Sequence, residues 1–175
     1  DISIIIFLLG GLFLGWSLGA NDAANVFGTA VGTRMVRFKT AAIVCSIFVI
    51  LGAIISGAGT TETLGKLGAI NALPGAFAAC VAAGISVYLM TKAGLPVSTT
   101  QAIVGAIVGW NLYTGSATNI KVLITILGTW VLCPVIAGLI AMGFFTLTKN
   151  FILKRKIHIL RLDAYTRTAL LLAGA

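Results

Sequence analysis

Residues 40–58, TAAIVCSIFVILGAIISGA, hold no titratable side chain except the thiol of Cys45. No other feature restricts the fold of this chain so strongly. Wound as a helix at about 1.5 Å per residue, such a stretch crosses a hydrocarbon core about 30 Å thick. In water it would have no polar face to turn outward. Residues 73–91 and 119–148 read likewise, the second interrupted only by Lys121 near its start. Charged residues make up 9% of the sequence, against roughly 25% in soluble domains. The alternating segments of a transmembrane β-barrel are not visible. The expected fold class is an all-α polytopic membrane protein.

The formal net charge is +8, which could point to a nucleic-acid partner, but the basic residues are placed otherwise. Arg34, Arg37 and Lys39 share one short gap between apolar runs, and Lys149, Lys154, Arg155, Lys156, Arg161 and Arg167 follow the last long run. Excess Lys and Arg in short connections marks the cytoplasmic side. Segments 34–39 and 149–161 are therefore expected there, in a multi-pass plasma-membrane protein whose partners include lipid and not nucleic acid. Cys45, Cys80 and Cys133 lie singly in apolar runs with no Cys/His spacing, and read as packing residues rather than metal ligands. His158 sits in a basic stretch and reads as solvated. The chain opens on Asp1 rather than Met, so the natural start is expected to be missing or processed.

The organisation expected is a transmembrane repeat over 1–148, a basic cytoplasmic segment at 149–166, and the start of a further transmembrane helix at 167–175. Residues 2–33 are too long an apolar run for one straight crossing, and the polar cluster at 19–25 predicts a break. Residues 59–72 are polar and Gly-rich and predict an external loop. Residues 93–110 begin Ala-Gly-Leu-Pro and predict a half-helix or hairpin. For 149–161 to rejoin the side of 34–39, residues 95–110 and 120–148 form either two crossings or a re-entrant piece followed by a bent helix. Irregular backbone at membrane depth is tolerated where it lines a cavity, as in transporters with discontinuous helices.

Two polar clusters interrupt the apolar background. In GANDAAN (19–25), Asn21 and Asn25 are four residues apart and Asp22 and Asn25 three, so on a helix all three share a side. Asp22 is the one acid within an apolar run, with no Lys or Arg in the apolar parts of the flanking spans. An ionised carboxylate there costs several kcal/mol unless partnered, which leaves a bound cation or a proton as its counter-charge. The plain alternative is that Asn21 and Asp22 cap a half-helix starting at Ala23. In PVSTTQ (96–101), Pro96 stops the preceding helix and Ser98 reads as an N-cap. The free amides of a helix start, with the hydroxyls of Ser98, Thr99 and Thr100, make a ready anion site; the alternative is an ordinary cap. The pairs Gly15/Gly19, Gly28/Gly32 and Gly105/Gly109 have GxxxG spacing and predict close helix packing.

Together, GANDAANVFGTAVG (19–32) and LPVSTTQAIVGAIVG (95–109) resemble the inorganic phosphate transporter family, whose members move phosphate with Na⁺ or H⁺. The resemblance implies one of two inverted repeats, with a broken transmembrane helix, a re-entrant-type helical hairpin and a substrate site between the repeats. RTALLLAGA (167–175) is similar to the apolar lead-in before the first signature, so the second repeat is expected to follow. Many members carry an acid where this chain has Val49, which leaves Asp22 as the coupling acid of this half.

On that resemblance, the function is secondary active import of inorganic phosphate, driven by Na⁺ in preference to H⁺, with no catalytic residues and no cofactor beyond the coupling ion. Phosphate falls to Ser98, Thr99, Thr100 and the amides through Gln101, with Asn21 or Asp22 receiving a phosphate hydrogen bond. Na⁺ falls to Asp22, Asn25 and Thr100, with backbone carbonyls at the break, Ala20 and Asn21 included. Oxygen ligands of this kind suit a hard cation. The second repeat and further copies in a homo-oligomer are the expected protein partners. The rival readings are a transporter or channel for another oxyanion such as sulfate, a membrane-embedded hydrolase, and a structural subunit. The hydrolase needs two carboxylates sharing a proton, where the apolar runs offer one.

Overall fold

The computed structural model describes residues 2–68, 73–154 and 159–174. Among them lie six helices, α1 Ile2–Gly32, α2 Phe38–Leu67, α3 Leu73–Lys92, α4 Thr99–Thr114, α5 Ile120–Lys154 and α6 Ile159–Ala173. Four of these, α1, α2, α3 and α5, are long and apolar enough to cross a membrane. The all-α polytopic class expected from the sequence is what the chain adopts. His158 and part of the predicted 59–72 loop fall outside the described residues.

The chain forms two compact units, residues 1–119 with 174–175, and residues 120–173. In the first, α1 packs chiefly on α3, and α3 on α4. One stripe of α1 faces inward, with Gly10, Ser17 and Asn21 buried. On α3 the buried positions Ala79, Ala83 and Val87 recur every fourth residue, and small residues let the helices approach. A Cβ on Gly84 would stand 2.6 Å from the Phe13 ring, and one on Gly10 2.8 Å from the Phe77 ring. A Cβ on Gly75 would meet the Trp110 indole at 2.9 Å, so the same device seats α4. Aromatic side chains fill the rest, with Phe7 edge-on to Phe77 at 5.9 Å and Trp16 against Tyr88 at 5.7 Å.

Three expectations are corrected here. The GxxxG pairs do not pack in this chain, since a Cβ at Gly15, Gly19, Gly28, Gly32, Gly105 or Gly109 would meet nothing within 4 Å. The close approaches instead use single glycines facing aromatic rings. Next, residues 59–67 are helix rather than loop. Glu62 and Lys66 pair one turn apart, the hydroxyls of Thr61 and Thr63 donate back to Gly57 and Gly59 carbonyls, and buried Leu67 anchors the end. Finally, α1 runs unbroken through 19–25, for a reason that lies in the site described below.

The end of α2 is tied to the connection after α4. Gly68 bridges Thr118, and the Asn119 amide donates to the Leu67 carbonyl at 2.9 Å. Asn111, fully buried, lies beneath this bridge and donates from Nδ2 to Thr118 Oγ1 at 3.1 Å. Gly115, at φ 69°, closes α4 by letting the Ser116 amide reach the Asn111 carbonyl at 2.9 Å. Asn111→Leu should lower stability by about 1–3 kcal/mol by stranding the Thr118 hydroxyl and overfilling the space at Gly68. Thermal unfolding in detergent checks it, and an unchanged midpoint would show that the tie is incidental.

In the second unit, α5 continues through Pro134, and none of its side chains over 120–150 is buried. In α6, Asp163 accepts from Arg167 at 2.8 Å, so the expected boundary between 166 and 167 falls inside one helix.

Candidate anion and cation site

The Gly-Leu-Pro sequence builds the site by ending one helix and delaying the next. Gly94 takes φ 72° at the end of α3, and the Leu95 amide folds back to the Met90 carbonyl at 2.9 Å. That closure satisfies the last turn, and a left-handed residue there favours glycine. Pro96 offers no amide, so residues 95–98 stay out of helix. Ser98 then caps α4 with extended backbone, its Oγ accepting from the Gln101 amide at 3.3 Å. The predicted half-helix thus starts at Thr99 and extends to Thr114.

The exposed strand between the two helices is held from α1. Asn21 Nδ2 donates to Thr91 Oγ1 at 2.8 Å and to the Leu95 carbonyl at 3.4 Å, and Asn21 Oδ1 accepts from the Val97 amide at 3.1 Å. A carboxamide supplies the donor and acceptor that an extended segment asks of a neighbouring strand at residues i and i+2. This explains why α1 needs no break. The polar side chain at residue 21 finds partners sideways, about seventy residues on, so the helix backbone need not unwind. Without a break, the Ala20 and Asn21 carbonyls remain in the helical ladder. The opening that was to expose them to a cation is not there.

The remaining predicted residues lie around this segment. A cavity of about 290 Å³ is lined by Ala20, Asn21, Ala24 and Asn25 of α1 and by Thr91, Gly94, Leu95 and Pro96. Asp22, half-buried and not among the residues lining that cavity, approaches the Thr99 side chain. Thr99 Oγ1 is nonetheless buried with no closed hydrogen bond, so the two side chains meet without satisfying one another. Ser98, Thr100 and Gln101 are exposed at the mouth of α4, and Asn25 is exposed on α1. Asn25 and Thr100 make no hydrogen bond to one another.

Chemically, the start of α4 gathers hydrogen-bond donors. The cap uses a Ser98 lone pair and the Gln101 amide, so that amide is taken, while the Ser98 O–H stays free to donate. The Thr99 and Thr100 amides, with the Thr100 hydroxyl, complete a set of donors at the positive end of the helix. Asp22 is the one acid beside them. Among the described residues the ion pairs are Glu62–Lys66 and Asp163–Arg167, so no base neutralises Asp22. No group of three or more His, Cys, Asp or Glu side chains gathers among the described residues.

Sequence reasoning missed Thr91, which shares Asn21, and Ser17, buried one turn before Asn21 with Oγ unpartnered. Each is a hydroxyl inside an apolar helix at four-residue spacing from a known site or turn residue, and that spacing was the available signal. Ser98→Ala should cost about 1 kcal/mol by loss of the cap and also weaken anion binding. Ser98→Thr should restore both, as thermal unfolding with and without phosphate would read out.

Fold and site together define a polytopic α-helical membrane protein with a hydroxyl-rich helix start beside an acid that no ion pair among the described residues engages. Residues 18–172 match the model of the phosphate transporter family, and the chain belongs to that family. It is 34% identical to a protein named as a phosphate permease in Pyrococcus furiosus, over 89% of this chain and 40% of that one. It is likewise 34% identical to a sodium-dependent phosphate transporter of Plasmodium falciparum, over 82% of this chain and 23% of that one. Among solved structures, one described as the sodium-dependent phosphate transporter superposes with a TM-score of 0.79 at 26% identity. That match covers 99% of this chain and 53% of the other. The chain therefore spans about two fifths of the Pyrococcus relative and about half of the solved chain.

Proposed function

We propose that this chain is one repeat of a secondary active transporter that imports inorganic phosphate down a cation gradient, with Na⁺ ahead of H⁺. The observation that carries the reading is the mouth of α4, where the Ser98 hydroxyl and the first turn, Thr99 and Thr100, lie beside Asp22. An anion placed there is repelled by the carboxylate unless a cation sits between them. Each ligand then binds better in the presence of the other, which is the thermodynamic content of coupling. Phosphate is assigned to Ser98, Thr99 and Thr100, with the Gln101 amide recruited if the cap opens. Na⁺ is assigned to Asp22, Asn25 and Thr100.

A second repeat facing the exposed Ser98–Gln101 turn completes the site, in keeping with the fraction of the solved relative that this chain covers. The apolar, uncovered α5 faces lipid and further copies in a homo-oligomer. Segments 34–39 and 149–161 lie on the cytoplasmic side of the plasma membrane.

Uptake of labelled phosphate into proteoliposomes tests this. A Na⁺ gradient at equal pH should drive accumulation, and a pH gradient without Na⁺ should drive little. The reverse pattern would transfer the coupling to protons. Full competition by sulfate would replace phosphate with a broader class of oxyanions.

A further inference from the structure

Asn21 carries the most strongly polar signal of the buried α1 stripe, yet its amide is spent on protein. Its two donated bonds and one accepted bond go to Thr91, Leu95 and Val97. The orientation of the carboxamide follows from its partners, since the Val97 amide can only donate and the Leu95 carbonyl can only accept. Thr91 is set just as firmly. Its hydroxyl donates to the Val87 carbonyl at 2.8 Å, so its proton is committed down α3 and a lone pair is left for Asn21. Val87 is itself fully buried between the helices. The result is a relay from the packed face of α3, through Thr91 and Asn21, to the two backbone groups that flank Pro96.

Pro96 makes that relay necessary. With no amide at 96 and extended backbone at Ser98, the strand 95–98 has little of its own to hold it. Yet it sets where Ser98 and the first amides of α4 point. We infer that Thr91 and Asn21 are positioning residues of the anion site, holding the Leu95–Val97 strand so that the mouth of α4 is formed before substrate arrives. Asn21 then acts through the strand rather than as a ligand to phosphate or cation. The inference deepens the phosphate-transport reading and rests on it for its kinetic consequence.

Thr91→Val keeps the branched shape and removes only the hydroxyl, so Asn21 Nδ2 retains just its longer bond to Leu95. Each binding event must then order the strand. In proteoliposomes of the intact protein, KM for phosphate should rise about tenfold, the effect of losing one such hydrogen bond. Uptake per folded molecule at saturating phosphate should hold, and Thr91→Ser should return KM to the wild-type value. General structural damage would instead lower the saturating rate at constant KM, and that result overturns the inference. Asn21→Asp separates positioning from ligation. As a cation ligand a carboxylate would serve at least as well, whereas in the relay it forfeits both donated bonds and should raise KM further. A wild-type KM in Asn21→Asp also overturns the inference.

A second readout does not depend on transport. With Cys45, Cys80 and Cys133 replaced, Val97→Cys should react with a maleimide severalfold faster in the Thr91→Val background and at the original rate with Thr91→Ser. Equal rates in all three backgrounds refute the relay. If the wild type shows no phosphate uptake at all, the transport reading fails while the labelling rates still decide the relay.

Discussion

Asp22→Asn should abolish cation-stimulated phosphate uptake, lowering it at least about a hundredfold, the loss expected when several kcal/mol of charge interaction disappear. The substitution keeps the size of the side chain and its proximity to Thr99, so α1 should fold as before. What it removes is the single negative charge at the mouth of α4. On the proposed reading, the neutral oxygens of Asn25 and Thr100 then have no anchor for a monovalent cation, and a cation gradient no longer drives phosphate. Glu62→Gln is the matched control, because Glu62 and Lys66 form an exposed pair and such pairs contribute little. Flux assays on equal amounts of folded protein would read both. Uptake by Asp22→Asn at the wild-type rate would remove Asp22 from the coupling mechanism.

Gly84→Leu should be the most damaging substitution for the fold. Its Cβ alone would lie 2.6 Å from the Phe13 ring and 3.5 Å from Leu14 Cα, so both a side chain and the backbone of α1 stand in the way. Overpacking of this kind costs about 1–3 kcal/mol. It falls on the main interface of the unit, the one that also brings Asn21 to Thr91. Gly84→Ala should cost less, because the Phe13 ring can yield to a methyl group but the backbone cannot yield to an isobutyl. Pairing Gly84→Leu with Phe13→Ala should recover part of the loss. Unfolding midpoints in detergent measure all three, and an unchanged midpoint for Gly84→Leu would mean that α1 and α3 do not close here.

The spans over 40–58 and 73–91 were legible because hydropathy is a local property that the bilayer reads directly. The start of α4 was legible too, since Pro96 and Ser98 act on their own neighbours. The supposed break at 19–25 was not. Sequence reveals that Asn21 needs partners but not that Thr91, Leu95 and Val97 supply them, and that supply decides whether a helix unwinds or continues. The glycines misled for a related reason. GxxxG spacing marks where two backbones can approach, whereas Gly10, Gly75 and Gly84 answer to rings on other helices that no spacing rule within one segment can foresee. Asp22 stood out from its chemistry alone, and its approach to Thr99 places it at the helix mouth suspected from PVSTTQ.

The continuity of α1 has a consequence for how motion is distributed around the cavity. Amides at 19–25 sit in a complete helical ladder, while 95–98 have no such ladder and are held by the Leu95–Met90 closure, the Ser98 cap and the Asn21 side chain. Hydrogen exchange should therefore be slow along one wall and fast along the other, since local opening follows the density of protected backbone bonds. The wall at 94–96 runs on into Ser98 and the start of α4, while the α1 wall runs on into Asp22, so thermal fluctuation moves the helix start more readily than it moves the acid.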